Sequence, residues 1–233
     1  MPRFFGRNQT RFPALAGLTL RYCLSQLTER FMKIAVICGS QRKSSQTAKV
    51  GQYAVNHLTG LGHETFFLDL AVTPLTNFDD SFWSEPTGEL QTQWQPISSE
   101  LQACDALIVI TPDWHGMVPS CLKNFFLYCG VKETANKPGL IIALSASTGG
   151  YLPVAELRIS SSKNNRICWI PDHLIIRNVK ACFNTPTPSD DKDDTYIQAR
   201  FSHSLGLLLQ YAVGLSGVRE SAVADYKTYP FGM

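Results

Sequence analysis

From Met32 onward, short apolar runs rich in β-branched residues alternate with stretches of helical periodicity. The run over residues 106–110 is entirely aliphatic, which is typical of a central parallel strand that is buried on both faces. Parallel neighbours need crossover connections, and these connections are right-handed, so the alternation predicts helices on both faces of one sheet. We therefore expect an α/β fold with a doubly wound, five-stranded parallel sheet.

Apolar spacing, caps and prolines give the boundaries of the predicted elements. The other four strands are predicted over Lys33–Cys38, 63–70, 140–144 and a fifth segment made of 167–170 and 174–176, which Pro171 breaks. Helices are predicted from a cap at Ser44 or Ser45 to about residue 60, and over residues 94–103, 118–128, 154–164 and 196–213. Residues 72–92 are rich in Pro, Asp, Ser and Thr, which predicts a long loop.

Length and charge distribution indicate one domain behind a basic segment. The chain has 233 residues, of which 44% are hydrophobic, enough for one buried core. Residues 1–31 carry five arginines and one glutamate, as a targeting segment would, but Arg21 interrupts the apolar stretch 12–20 and no small-x-small cleavage site follows. We expect residues 1–31 to be an N-terminal extension, disordered or the product of a misassigned start, and residues 32–233 to form a single domain.

Several function classes are disfavoured. Residues 32–233 carry 16 basic and 18 acidic residues, so they offer no basic surface for nucleic acid. No apolar run approaches the ~20 residues that a membrane-spanning helix needs. The seven cysteines form no Cys-x-x-Cys pair and no Cys/His cluster at zinc spacing. We expect no metal site, no nucleic-acid or membrane partner, and a reducing, cytoplasmic location.

Three loops are predicted at the carboxyl edge of the sheet, where such folds bind ligands: residues 39–47, 111–117 and 145–151. The first runs from a glycine through hydroxyls, Arg42 and an amide into a helix start, so backbone N–H groups and directed donors favour a phosphate. It contains neither Gly-x-Gly-x-x-Gly nor a Walker loop, which leaves a phosphate monoester such as a mononucleotide. The alternative is a serine-rich helix cap with a solvated arginine.

Two of these loops resemble motifs of the NADPH-dependent FMN reductases, a family with the flavodoxin-like fold. The family's first loop runs Gly-Ser-x-Arg-x-x-Ser-x-Asn, and here only the last position differs, with Thr47 in place of Asn. Its second loop runs Pro-Glu-Tyr-Asn-Gly-Ser-x-Pro-x-x-Leu-Lys-Asn. The matching residues of this chain are Pro112, Gly116, Pro119, Leu122, Lys123 and Asn124. The resemblance covers about residues 32–180 and implies the strand order 2-1-3-4-5.

The resemblance also implies a role for each loop in binding FMN. The phosphate would be held by Ser40, Arg42, Ser45, Gln46 and Thr47. The isoalloxazine ring would be lined by Pro112, Asp113, Trp114, His115 and Gly116. The pyrimidine end of the ring would meet Ser147, Thr148, Gly149 and Gly150.

Four residues of the second loop depart from the family pattern, and these departures affect substrate preference and redox tuning. Asp replaces Glu at 113, Trp replaces Tyr at 114, His replaces Asn at 115 and Met replaces a hydroxyl residue at 117. His115 introduces a titratable group, so it is a candidate proton donor; the alternative is a loop residue that forms one hydrogen bond. Because the flavin itself carries the hydride, no catalytic protein residue is predicted.

The resemblance implies an FMN-dependent NAD(P)H oxidoreductase. Hydride would pass from NADPH or NADH to flavin N5, and then to a quinone, free flavin, azo dye or metal oxyanion in a ping-pong cycle. A homodimer or homotetramer is expected. Two alternatives stay open: a flavodoxin-like electron carrier with a protein partner, and a flavodoxin-fold binding module that has lost FMN. Carriers tend to be strongly acidic, whereas residues 32–233 are close to neutral.

Overall fold

The computed structural model describes residues 30–231, so all but the last two residues of the predicted N-terminal extension lie outside the described part. Within it, five strands form one parallel sheet in the order β2-β1-β3-β4-β5. The fold class and strand order are therefore confirmed. The strands are β1 (Lys33–Cys38), β2 (Glu64–Asp69), β3 (Ala106–Pro112), β4 (Pro138–Leu144) and β5 (Cys168–Ile176).

Helices cover both faces of the sheet. They are α1 (Gln46–Gly60), α2 (Ser81–Ser84), α3 (Glu89–Ala103), α4 (Ser120–Tyr128), α5 (Val131–Thr134), α6 (Tyr151–Ser160) and α7 (Lys192–Arg219). Helices α1 and α7 pack on one face, and α3, α4 and α6 pack on the other. Successive residues of β3 alternate between the two cores, so the strand is buried on both faces, as its aliphatic sequence predicts.

Two helices begin earlier than predicted. Helix α3 starts at Glu89, and α2 lies within the segment predicted as a loop, so the prediction for residues 72–92 was wrong at both places. Leu90 and Trp94 are buried and anchor the first turns of α3 in the core. Helix α7 starts at Lys192 because Asp191 caps it, its Oδ1 accepting from Asp193 N at 2.8 Å. It ends at Arg219, six residues beyond the predicted end.

Two further helices start at residues other than those predicted, because of local backbone geometry. Pro119 occupies the N-cap of α4, so that helix starts at Ser120 and not at residue 118. Gly150, with a φ of 102°, starts α6, which therefore spans Tyr151–Ser160 and not residues 154–164. None of the helices in residues 30–231 is both long enough and apolar enough to cross a membrane.

The predicted break at Pro171 is wrong, since β5 runs through it as an edge strand. Its pairing with β4 shifts between Trp169 and His173, and Pro171 lies in this irregular stretch, where no ladder N–H is required of it. The Arg158 guanidinium donates to the carbonyl oxygens of Ile170 (2.8 Å) and Pro171 (3.0 Å). The strand therefore tolerates a proline because the ladder needs no N–H at that position, and Arg158 binds the carbonyl oxygens beside it.

Candidate functional site

The three predicted loops follow β1, β3 and β4, which are neighbours in the sheet. The residue that follows each of these strands extends the ladder toward the next strand: Gly39 N donates to Ile110 O (2.8 Å), Asp113 N to Leu144 O (2.8 Å) and Ser145 N to Ile176 O (2.9 Å). Strand order reverses between β1 and β3, where doubly wound sheets bind their ligands. The fold thus brings the loops together at the expected edge.

Within the first loop, two hydroxyls are arranged around the start of α1. Ser45 Oγ accepts from Ala48 N at 3.0 Å and lies 2.8 Å from Thr47 Oγ1. Thr47 is only 1% exposed, so its hydroxyl faces Ser45 and not solvent. If Thr47 donates to Ser45, the proton of the Ser45 hydroxyl is left to bind an anion beside the first-turn N–H groups, which lack partners within the helix.

Three other residues of the first loop, Arg42, Gln46 and Ser40, are placed where a phosphate-bearing cofactor could meet them. The exposed Arg42 guanidinium lies 5.2 Å from the centroid of the Trp114 ring, a cation–π contact that joins the first loop to the second. Gln46 Oε1 is buried, and no residue in the described range 30–231 donates to it. An orphaned acceptor needs a donor, and the hydroxyl groups of a ribityl chain would supply one. Ser40 is buried, and its Oγ accepts from Arg42 N at 3.3 Å.

The second loop is a tight hairpin. Trp114 and Met117 exchange two backbone hydrogen bonds, at 3.2 and 2.9 Å. His115 and Gly116 between them have φ values of 55° and 76°, the two positive values that a type I′ turn requires. His115 is exposed at its tip, and Trp114 is half-buried at its base.

Asp113 joins the second loop to the third. Its Oδ1 accepts from Gly116 N at 2.8 Å, and its Oδ2 accepts from Gly150 N at 2.7 Å. A Cβ added at Gly149 would lie 2.6 Å from the same Oδ2, so glycine is required there for the close approach. Both oxygens of Asp113 are therefore engaged in holding loops, as a carboxylate that positions the site.

The third loop is held by two residues that the sequence did not single out. Ser145 Oγ accepts from Ser147 N (3.2 Å) and Gly149 N (3.1 Å). Arg177, directly after β5, donates through Nε to Thr148 O (2.7 Å) and Gly149 O (3.3 Å). The position of Arg177 at the carboxyl end of a strand was the available signal. The side chains of Ser147 and Thr148 are left exposed.

Glu156 on α6 also supports the second loop and was not predicted. One carboxylate oxygen accepts from Val118 N at 2.8 Å, and the other is paired with Lys123 Nζ. Burial alone would raise the pKa of Glu156, but the hydrogen bonds from Lys123 and from Val118 N–H lower it below its ordinary value. Glu156 therefore stays ionised and fixes the strand-to-helix connection after the hairpin.

A buried thiol lies beneath the first loop. Cys38 lies under the first loop, where its Sγ donates to Thr47 O at 3.3 Å, and burial raises the pKa of its thiol. All six cysteines within the described residues are free thiols. No three His, Cys, Asp or Glu side chains between residues 30 and 231 are grouped so that they could hold a metal ion.

The chain is similar in sequence and in fold to several known proteins. An FMN-dependent NADPH-azoreductase of Staphylococcus aureus is 28% identical over 131 residues, which cover 55% of this chain and 68% of that enzyme. FerB, a flavoenzyme NAD(P)H:(acceptor) oxidoreductase from Paracoccus denitrificans, superposes with a TM-score of 0.57 at 19% identity over 79% of this chain and 97% of FerB. The NAD(P)H:quinone oxidoreductase from Methanothermobacter marburgensis gives 0.54 at 13% identity, over 75% and 98% of the two chains.

The two structural similarities establish the fold. The sequence pattern of the NADPH-dependent FMN reductases matches residues 32–180, more than half of the chain. That match confirms the predicted family, the oxidoreductase class and the predicted use of FMN with a reduced nicotinamide as electron donor. The chain therefore belongs to the NADPH-dependent FMN reductase family.

Proposed function

We propose that this protein is an FMN-dependent NAD(P)H oxidoreductase that reduces a small-molecule acceptor. The observation that carries the proposal is the joining of three loops at one sheet edge, by Asp113 and by the contact of Arg42 with Trp114. Such an edge offers phosphate donors at one end and a ring-lining hairpin beside them. This arrangement matches the needs of a mononucleotide with a large planar ring.

The first loop would hold the phosphate. Ser40, Ser45 and Arg42 would donate to the phosphate oxygens, because charge-assisted and hydroxyl donors at a helix start favour an anion. Thr47 would act through Ser45, since its hydroxyl is buried against Ser45 Oγ. Gln46 would contact the ribityl chain through its orphaned oxygen.

The second and third loops would hold the ring. When bound, FMN supplies the hydride chemistry, taking two electrons and a proton from the nicotinamide and passing them to the acceptor. The residues that would line the ring are Pro112, Trp114, His115 and Gly116, with residues 147–150 at its pyrimidine end. A proton-transfer role for the exposed His115 stays a prediction.

For the acceptor we propose a quinone, free flavin or azo compound. Support comes from relatives named as an azoreductase and a quinone oxidoreductase. The exposed hairpin tip with His115 and Met117 would decide among these acceptors, because it is the part of the ring-lining loop that solvent reaches. A steady-state screen of these acceptors with NADH and NADPH tests this part of the proposal.

We further propose that residues 32–233 act as one FMN-binding domain behind an extension, in a cytoplasmic homodimer or homotetramer. The six free cysteines in residues 30–231 are consistent with a reducing compartment. Light scattering of the purified protein would measure the oligomeric state, and a monomer at working concentration would contradict that part.

The proposed cofactor site is tested by FMN titration of the wild-type protein and of Arg42→Ala. Losing a charge-assisted contact should weaken FMN binding about tenfold or more. Lys43→Ala is the matched control, because Lys43 is an exposed cation next to Arg42. A wild-type protein that binds no FMN, or two variants with equal affinity, would contradict the assignment.

A further inference from the structure

Arg177 is hydrogen-bonded to the backbone of the loop that is expected at the pyrimidine end of the cofactor. Its Nε donates to the carbonyl oxygens of Thr148 (2.7 Å) and Gly149 (3.3 Å). The N–H groups of the same two peptide units are held from the other side, Gly149 N by Ser145 Oγ (3.1 Å) and Gly150 N by Asp113 Oδ2 (2.7 Å). Two consecutive peptide groups are thus fixed at both polar ends.

Hydrogen bonds within the protein occupy most of the backbone N–H donors of the loop. The N–H groups of Ser147, Gly149 and Gly150 all point to protein acceptors. The carbonyl oxygens of a pyrimidine ring need donors. Within the loop, Thr148 N–H and the hydroxyls of Ser147 and Thr148 remain. The loop itself therefore offers few free donors, and a residue that lies against it can supply more.

The Arg177 guanidinium lies against the loop and has donors to spare. It carries five N–H donors, of which the hydrogen bonds within residues 30–231 use only the one on Nε. Arg177 is an exposed residue, and none of the ion pairs in this part of the chain includes it. Asp191 and Asp193 line the cavity of about 510 Å³ beside it without pairing with it. Its positive charge is therefore not neutralised by contact.

We propose that Arg177 both positions the 147–150 loop and places a positive charge at the pyrimidine end of bound FMN, so that the reduced cofactor binds more tightly than the oxidised one. This inference rests on the proposed function. A hydride brings two electrons and one proton, so the ring gains one negative charge on reduction. A cation beside the ring would favour this charged form.

The test is the midpoint potential of the FMN-loaded protein, measured anaerobically against redox dyes, together with the Kd for oxidised FMN. In Arg177→Gln, affinity for reduced FMN should fall about tenfold more than affinity for oxidised FMN. This factor is the low end of the effect of a nearby opposite charge, because Arg177 is exposed. Tenfold corresponds to a fall of about 30 mV for a two-electron couple. Arg177→Lys keeps the charge and should stay near the wild-type potential.

Lys180→Gln is the matched control, since it removes an exposed cation from the same turn without touching the loop. A potential in Arg177→Gln that moves no further than in Lys180→Gln would overturn the proposal. An equal loss of affinity for oxidised and reduced FMN in Arg177→Gln would also overturn it, because that result is expected if Arg177 only holds the loop in place. If either result is found while the wild-type protein binds FMN and is reduced by nicotinamide, only the inference about Arg177 fails and the proposed function stands. If the wild-type protein binds no FMN, the inference and the proposed function both fail.

Discussion

Replacing Asp113 by Asn tests the contact that joins the ring-lining hairpin to the third loop. The carboxylate accepts from Gly116 N at 2.8 Å and from Gly150 N at 2.7 Å, two amides on different loops. Asparagine has nearly the same shape but only one acceptor oxygen. One of the two backbone N–H groups would therefore face an NH₂ group in place of an oxygen.

The size of the effect follows from these two bonds. A hydrogen bond to a charged group contributes about 1.5–3 kcal/mol, and Asp113 is only half-buried, so we expect a loss of about 2 kcal/mol in the free energy of unfolding. For a chain of this length that is a fall in Tm of roughly 4–8 °C. The Kd for FMN should rise about tenfold, because binding would then have to order two loops that are no longer joined.

Thermal unfolding followed by circular dichroism, with and without FMN, measures both effects. Asp190→Asn is the control, because it removes the same charge from an exposed position on another loop. If Asp113→Asn melts within a degree of Asp190→Asn and binds FMN equally well, the carboxylate does not join the loops. The account of how the site is assembled would then be wrong.

Three further changes test other parts of the structure. Gly150→Ala should destabilise the protein by about 2 kcal/mol in thermal melts, because φ is 102° and an added Cβ would lie 2.6 Å from Ile175 Cγ2; an unchanged Tm would contradict this. Burial lowers the pKa of Lys137 from 10.5 to about 8, so between these pH values the unfolded chain binds the extra proton and the contribution of Lys137 to stability rises with pH. Urea unfolding at pH 8 and pH 10 should show this rise in the wild-type protein relative to Lys137→Met, and parallel profiles would count against it. Because burial raises the pKa of Cys38, a maleimide should label it only after unfolding, and rapid labelling of the native protein, read by mass spectrometry, would refute its burial.

The fold was largely predictable because its signals are local. Apolar runs marked the strands, and their alternation with helices indicated the parallel sheet. The errors lie where tertiary packing overrides local composition. Pro and Gly precede α3, whose buried Leu90 and Trp94 stabilise its first turns. Pro171 is tolerated because it lies in the irregular stretch of β5, where the ladder needs no N–H from it.

The candidate site was predictable as three loops but not as a set of contacts. The loops follow strands whose carboxyl ends share one edge, so their meeting follows from topology alone. The contacts join residues far apart in sequence, since Gly150 and Asp113 are separated by 37 residues, and Arg177 and Thr148 by 29. No spacing rule connects such pairs, and they depend on strand register and side-chain reach.

We propose that the loops after β1, β3 and β4 hold FMN and that a reduced nicotinamide reduces it there. Anaerobic titration of the FMN-loaded protein with NADH and with NADPH tests this claim most directly. The account predicts that a stoichiometric amount of at least one nicotinamide removes the yellow flavin absorbance, and that adding a quinone restores it. Protein that keeps its colour under excess of both nicotinamides would contradict the account.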